Sequence, residues 1–406
     1  MAGPLSHIKV LDLSRVLAGP WASQILADLG ADVIKVERPG VGDDARAWGP
    51  PFLEDGKGQY TKESGYYLTA NRGKRSITLS LDEPEGQEIV RQLAAKSDIL
   101  LENFKVGTLD RFGLGYEALR AINPRLNYCS ITGFGQTGPK KSLLAYDFLI
   151  QAMGGLMSVT GERDDKPGGG PQKVGIPIID LITGIYASVA MLAALAGREV
   201  SGKGEYIDIG MLDVQVGMLA NQAMNYLVTG ATPKRTGNAH PNIQPQNVFR
   251  CKDGDVVLVV GNDGQFQKLC GVLGRPELGS DERSATNAAR VRNHGFLQPL
   301  IEEAFAREPR SYWVERLSDA GVPCGPINSI PEVFDDAQVK ERGMLRYLPH
   351  PAGSQVPQVV SPFRFTNAPL EYQTPPPLLG QHSDEILRSL GIDEARIAQL
   401  RKQCIV

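Results

Sequence analysis

The first two hundred residues alternate short apolar runs with amphipathic ones, and this alternation constrains the possible fold more than any other feature. IKVLDLS (8–14) reads as a buried strand. A Gly19-Pro20 turn and WASQILADLG follow as a helix closed by Gly30, and ADVIKVER resumes a strand. DEPEGQEIVRQLAAKS (82–97) reads as a helix whose opening acids suit the positive end of its dipole. DILLENF (98–104) is a strand, FGLGYEALRAI a helix, RLNYCSITGFG (125–135) and EYIDIG (205–210) strands, and 211–230 one long helix. Strands separated by helices of this length predict an α/β fold, a parallel sheet covered on both faces.

The pattern changes near residue 231. ATPKRTGNAHPNIQPQN is rich in turn formers, and NVFRCKDGDVVLVVG (247–261) reads as a hairpin turning at Asp253-Gly254. Two or three helices follow, so a smaller α+β domain is expected here. At 406 residues the chain has room for two or three domains. With 43 Lys plus Arg against 46 Asp plus Glu, and no run of five like charges, it carries no field suited to nucleic acid. Five cysteines, an odd number, show no C-x-x-C and no metal-ligand spacing with the five histidines. No metal site and a reducing, cytoplasmic setting are expected. The N-terminal MAGPLSHIKVLDLS turns polar too soon for a signal peptide. GIPIIDLITGIYASVAMLAALAG (175–197) has the length of a membrane span, but Pro177 and Asp180 break its first third, leaving one buried helix and no membrane role.

Gly133-Phe134-Gly135-Gln136-Thr137-Gly138 matches a dinucleotide fingerprint, yet Pro139, Lys140 and Lys141 stand where the helix should start, so it reads as a structural turn or, with its nearby lysines, as a loop holding some other phosphate or a reactive acyl group. Asp180 is the one charge in the 175–197 stretch, just ahead of an apolar helix. An acid there caps the helix, or it is a carboxylate kept inside an apolar wall for nucleophilic work; both readings use the same placement. Arg38 ends a strand at the edge where doubly wound sheets bind ligands, either gripping phosphate or lying solvated. NRGKRS, with Arg72, Lys74 and Arg75, has the same two readings. No G-x-S-x-G supports a serine triad.

Together VLDLSRVLAGPWASQILADLGADVIKVERPGVGD (10–43), NRGKRSITLSL (71–81), DILLENFKVGTLDRFGLGYEAL (98–119), SITGFGQTGP (130–139), GIPIIDLITGIYA (175–187), GVPCGPINSI (321–330) and PPLLGQHSDEIL (376–387) resemble the class III CoA-transferases. The resemblance implies a large Rossmann-like domain built from both chain ends: 1–215, a linker at 216–234, a small α+β domain at 235–330, and a return through 331–406. It implies an interlocked homodimer. It implies that Asp180 is the nucleophile and that Val16, Ala18, Arg38, Asn103, Phe104 and Arg111 contact CoA. Leu17, Arg46, Trp48, Tyr66, Arg72, Gly135, Gln136 and Tyr146 are the acyl-pocket candidates. The substrates implied are an acyl-CoA and a carboxylic acid, with no cofactor beyond CoA. RPGVGDDARAWGPPF (38–52), ITGFGQTGP, GNAHPNIQP and PPPLLGQH look most like the branch using succinyl-CoA and glutarate, and Arg46, Arg72, Lys74 and Arg75 are candidates to hold a remote carboxylate. Two rival expectations are an α-methylacyl-CoA racemase and a non-catalytic CoA-binding protein. The racemase's catalytic His position is Tyr146 here, and a phenol is a poor base near neutral pH.

Overall fold

The computed structural model describes residues 3–406. In chain order the first part contains Lys9–Asp12 (β1), Ala18–Asp28 (α1), Asp32–Glu37 (β2), Phe52–Glu54 (β3), Tyr60–Ser64 (β4), Gly65–Thr69 (α2) and Lys74–Thr78 (β5). Pro84–Ala95 (α3), Ile99–Glu102 (β6), Thr108–Arg111 (α4), Tyr116–Ile122 (α5) and Asn127–Thr132 (β7) follow. Next come Asp147–Met153 (α6), Leu156–Val159 (α7), Ile178–Ser201 (α8), Tyr206–Gly210 (β8) and Met211–Met218 (α9). Six strands form one parallel sheet in the order β5-β2-β1-β6-β7-β8, which is the expected α/β architecture.

Alternation along the strands builds two cores. Leu11 and Leu100 face one side with Ile77, Val90, Leu93 and the C-terminal residues Ile386, Leu387 and Leu400. Val10, Ile99 and Leu101 face the other with Ala22, Leu26, Ile179 and Met191. A buried Leu or Ile gains roughly 1.5–3 kcal/mol, so each face amounts to a full hydrophobic core. Helix α1 ends at Gly30, whose φ of +100° and lack of Cβ allow the Gly3 backbone to come close. Helix α8 is long and apolar enough to cross a membrane, and half of that apolar stretch is buried within the chain. Gly184 lets α1 approach it, since a Cβ there would lie 2.7 Å from the Ala18 carbonyl oxygen.

The chain divides into two compact units. The larger takes residues up to Leu156, then Val174–Ala223 and Gln338–Val406. The smaller takes Met157–Lys173 and Met224–Ala337. Its three-stranded antiparallel sheet includes the hairpin Gln246–Cys251 and Gly254–Val259, over a core of stacked Phe249, Phe305 and Trp313.

Three features differ from the sequence reading. The helix expected over 211–230 breaks at Ala220, whose φ of +45° ends α9 and starts Ala220–Thr229, so helix occupies part of the expected linker. Residues 157–173 group with the smaller unit, although they lie within the stretch assigned to the large one. Part of NRGKRS, read as a basic cluster, opens strand β5, with Lys74 fully buried.

Candidate active site

The carboxyl ends of β1, β2 and β6 meet around two adjoining cavities. One, about 510 Å³, is lined by Arg15, Arg38, Phe104 and Arg111. The other, about 230 Å³, is lined by Arg15, Val16, Leu17, Ala18, Asn103, Phe104, Tyr146 and Asp180. Arg15 and Phe104 line both, the Arg15 guanidinium lying 5.0 Å from the Phe104 ring centre. A ligand edge at the carboxyl ends of parallel strands is the site expected for a doubly wound sheet.

Asp180 stands in the first turn of α8 and is 9% exposed. Among the described residues no donor or cation reaches its carboxyl, and burial followed by the charge of Asp147 lifts its pKa to about 7. The helix dipole favours the ionised form at this position, so burial and Asp147 outweigh it. Asp147 is positioned by α6, where its Oδ1 accepts from Gln151 at 2.5 Å. Its Oδ2 accepts the N–H groups of Ile179 (2.7 Å) and Asp180 (3.2 Å). Asp147 is thus the cap of α8, a role the sequence had offered to Asp180 itself. Tyr66, in edge-to-face contact with Trp48 at 5.1 Å, has its pKa raised to about 12 by burial and by Asp180 and Asp147, so its phenol stays protonated.

Not every expected residue comes to these cavities. Arg46 is enclosed, with Glu37 at 2.8 Å, Glu63 at 2.6 Å and the Tyr67 hydroxyl at 2.6 Å taking its guanidinium. Arg72 grips Asp28 at 2.6 Å and the Val359 carbonyl at 2.8 Å. Lys74 pairs with Asp12 at 3.2 Å, and Arg75 with Asp32 and Glu385. All four cations suggested for a remote carboxylate are therefore committed within the chain; the cations lining the Asp180 cavity are Lys105, Lys141 and Arg15, the last of them paired with Asp44 at 3.4 Å. Gly135 and Gln136 also lie outside that cavity lining. They form a turn, with the Gly135 N–H on Thr132 and the Gln136 side chain on Ser130. Asn103, expected only as a CoA contact, exchanges both amide groups with the Arg15 backbone at 2.8 and 2.7 Å.

Residues 5–383 match the model of CoA-transferase family III. The chain belongs to that family. It is 49% identical over 387 residues to the succinate–glutarate CoA-transferase of Agrobacterium fabrum, covering 95% of this chain and 96% of that one. To the human succinyl-CoA:glutarate CoA-transferase it is 42% identical, covering 99% and 90%. A crystal structure of a CAIB/BAIF family protein from Brucella suis superposes with a TM-score of 0.83 at 48% identity, covering 96% of this chain and all of the other. The protein is accordingly a CoA-transferase, an enzyme acting on an acyl-CoA and an acid.

The sequence reading missed Asp147 and Arg15, whereas Lys141, one of the lysines beside the glycine-rich loop, does line the Asp180 cavity. The signal for Asp147 was present but pointed elsewhere: an acid opening a helix suggests a cap for that helix, whereas this one caps a helix some thirty residues on. Arg15 lies three residues past the end of the first strand, in the same βα loop as Val16, and its position there was the available clue.

Proposed function

We propose that the protein moves CoA from succinyl-CoA to glutarate or a close dicarboxylate, with Asp180 as the covalent carrier. The observation that carries this reading is a buried carboxyl with no cationic partner among the described residues, on the wall of a cavity that adjoins a larger one bearing Arg38 and Arg111. The larger cavity suits CoA, its arginines supplying donor forks for phosphate. The names of the relatives support the succinate and glutarate pair.

Exchanging one thioester for another is close to balanced in free energy, so neither ATP nor a metal is needed; the barrier lies in making carboxylates attack and be attacked. The Asp180 carboxylate attacks the succinyl-CoA carbonyl, the C–S bond breaks, and a mixed anhydride forms with release of CoA thiolate. The thiolate attacks the aspartyl carbonyl and succinate leaves. Acceptor carboxylate then attacks the aspartyl thioester, thiolate departs again, and its attack on the acceptor carbonyl frees Asp180. A carboxyl titrating near 7 is ionised often enough at neutral pH and is a stronger nucleophile than an ordinary one. The first N–H groups of α1, at Leu17 and Ala18, begin a helix with no side-chain cap and suit the developing oxyanions.

Each intermediate hydrolyses in water, so the site needs cover. A homodimer supplies it in this reading. Ile185, Tyr186 and Val189 on α8 are exposed, as are Phe148 and Leu149 on α6, an apolar surface of the kind that marks an interface. Five unpaired cysteines fit a cytoplasmic setting.

The test compares kcat/KM for glutarate with that for valerate, in wild type and Asp180→Ala. Glutarate should lead by at least about tenfold, the worth of one charge-assisted contact, and Asp180→Ala should bind CoA without transferring it. Equal values for valerate would overturn the dicarboxylate assignment, and transfer by Asp180→Ala would overturn the carrier.

A further inference from the structure

The loop between β1 and α1 is held by side chains drawn from elsewhere around the sheet. Asp12 accepts the Ser14 N–H at 2.9 Å, and Lys35 donates to the Ser14 carbonyl at 2.9 Å. Asn103 takes both backbone groups of Arg15. The two carboxylate oxygens of Asp43 stand 3.0 and 3.2 Å from the Val16 nitrogen. Val16 has a φ of +71°, a left-handed conformation that strains a β-branched residue and persists only where its surroundings impose it.

The imposing group is a closed ion pair. Lys35 and Asp43 lie 2.8 Å apart with both side chains fully buried. Asp43 also accepts the Ala45 N–H at 3.0 Å, while its own N–H goes to Glu37. Burial disfavours its charge, but the Lys35 ammonium and the N–H donors outweigh that and hold its carboxyl below the ordinary range. An ionised acceptor makes the stronger bond to the Val16 N–H. The next residues, Leu17 and Ala18, line the Asp180 cavity. A change of φ at Val16 would redirect both.

We propose that the Lys35–Asp43 pair is a positioning device for CoA transfer, holding Val16 in its left-handed turn so that Val16–Ala18 face the carbonyl under attack at Asp180. This rests on the reading of Asp180 and this loop as the reaction site. The pair acts through the backbone, because neither side chain has exposed surface with which to meet substrate.

Asp43→Glu keeps the charge opposite Lys35 but displaces the acceptor oxygens. Its kcat should fall about 100-fold, the scale of loss from an ångström of misplacement, with a much smaller change in the KM for acyl-CoA. Asp43→Asn should also lose kcat, and adding Val16→Gly to it should regain at least about tenfold, since glycine adopts positive φ unaided. A role in stability alone would lower the melting temperature and leave the kcat of folded enzyme intact, with no recovery from glycine. If the single variants fail to fold, Lys35→Met with Asp43→Asn removes both buried charges, and the same glycine rescue applies. Unimpaired kcat, loss without rescue, or failure of every variant to fold would each overturn the proposal. An active Asp180→Ala enzyme would instead remove the site reading beneath it, whereas a dead Asp180→Ala beside an unimpaired Asp43→Glu would overturn the clamp alone.

Discussion

Two buried regions of the large unit treat charge in opposite ways. Around Arg46, charges of opposite sign meet: Glu37 and Glu63 take its guanidinium and the Tyr67 ring lies 3.7 Å from it, although burial and Glu37 still raise the Glu63 pKa. Burial works against the Arg46 charge, yet its neighbours outweigh this and push its pKa up. At the start of α8 a second acid, Asp147, lies beside Asp180, and no cation among the described residues answers either the burial or the repulsion. Pairing makes the first region a brace between β2, β4 and the segment at Pro377. The lack of pairing leaves Asp180 poised between protonation states, at a cost in stability that bracing alone would not require. Buried charge is therefore not by itself the mark of a site; buried charge without a partner is the more telling observation.

The largest effect is expected at Arg46. Arg46→Met leaves Glu63 buried without a cation and Glu37 with only Lys35 to answer its charge, and should cost about 3–5 kcal/mol, the usual result of removing half of a buried pair. Urea denaturation should show the loss at neutral pH. A loss below about 1 kcal/mol would mean that the brace is as dispensable as a surface pair.

Asp180→Asn should act in the opposite direction. Because the folded pKa of about 7 lies above the ordinary 3.8, the folded state favours the protonated acid. That preference is fully present at pH values below the ordinary one and is lost as pH rises through about 7. Asparagine should therefore stabilise the protein by roughly 2–4 kcal/mol at alkaline pH and hardly at all in acid. Equal effects at both ends would show that ionisation is not what strains the site.

The smallest effect sharpens the role of Asp147. Asp147→Asn keeps an oxygen for the Ile179 and Asp180 N–H groups while removing the charge that helps raise the Asp180 pKa. The acid limb of kcat/KM, expected near pH 7 in wild type, should move down by about one unit. An unmoved limb would leave burial as the whole cause.

Much of this contrast was legible in the sequence on one side only. The parallel sheet was legible because strand and helix periods are local, and Asp180 because one charge interrupts a long apolar run. The basic residues were not, since a cation's partner cannot be read from its neighbours. Arg72 meets Asp28 across 44 positions and Arg46 meets the Pro377 carbonyl across 331. Strand β5 was obscured for the same reason: Lys74, polar in sequence, is internal because Asp12 awaits it. Asp147 was hidden by capping a helix other than its own.

In the proposed reaction the unpartnered carboxyl of Asp180 carries the acyl group. The most direct test is to add hydroxylamine during turnover with succinyl-CoA and glutarate, then map the modified peptide by mass spectrometry. Hydroxamate at Asp180 alone, formed only when acyl-CoA is present, is the result expected. An unmodified Asp180 in enzyme that has turned over, or hydroxamate at another carboxyl, would contradict it.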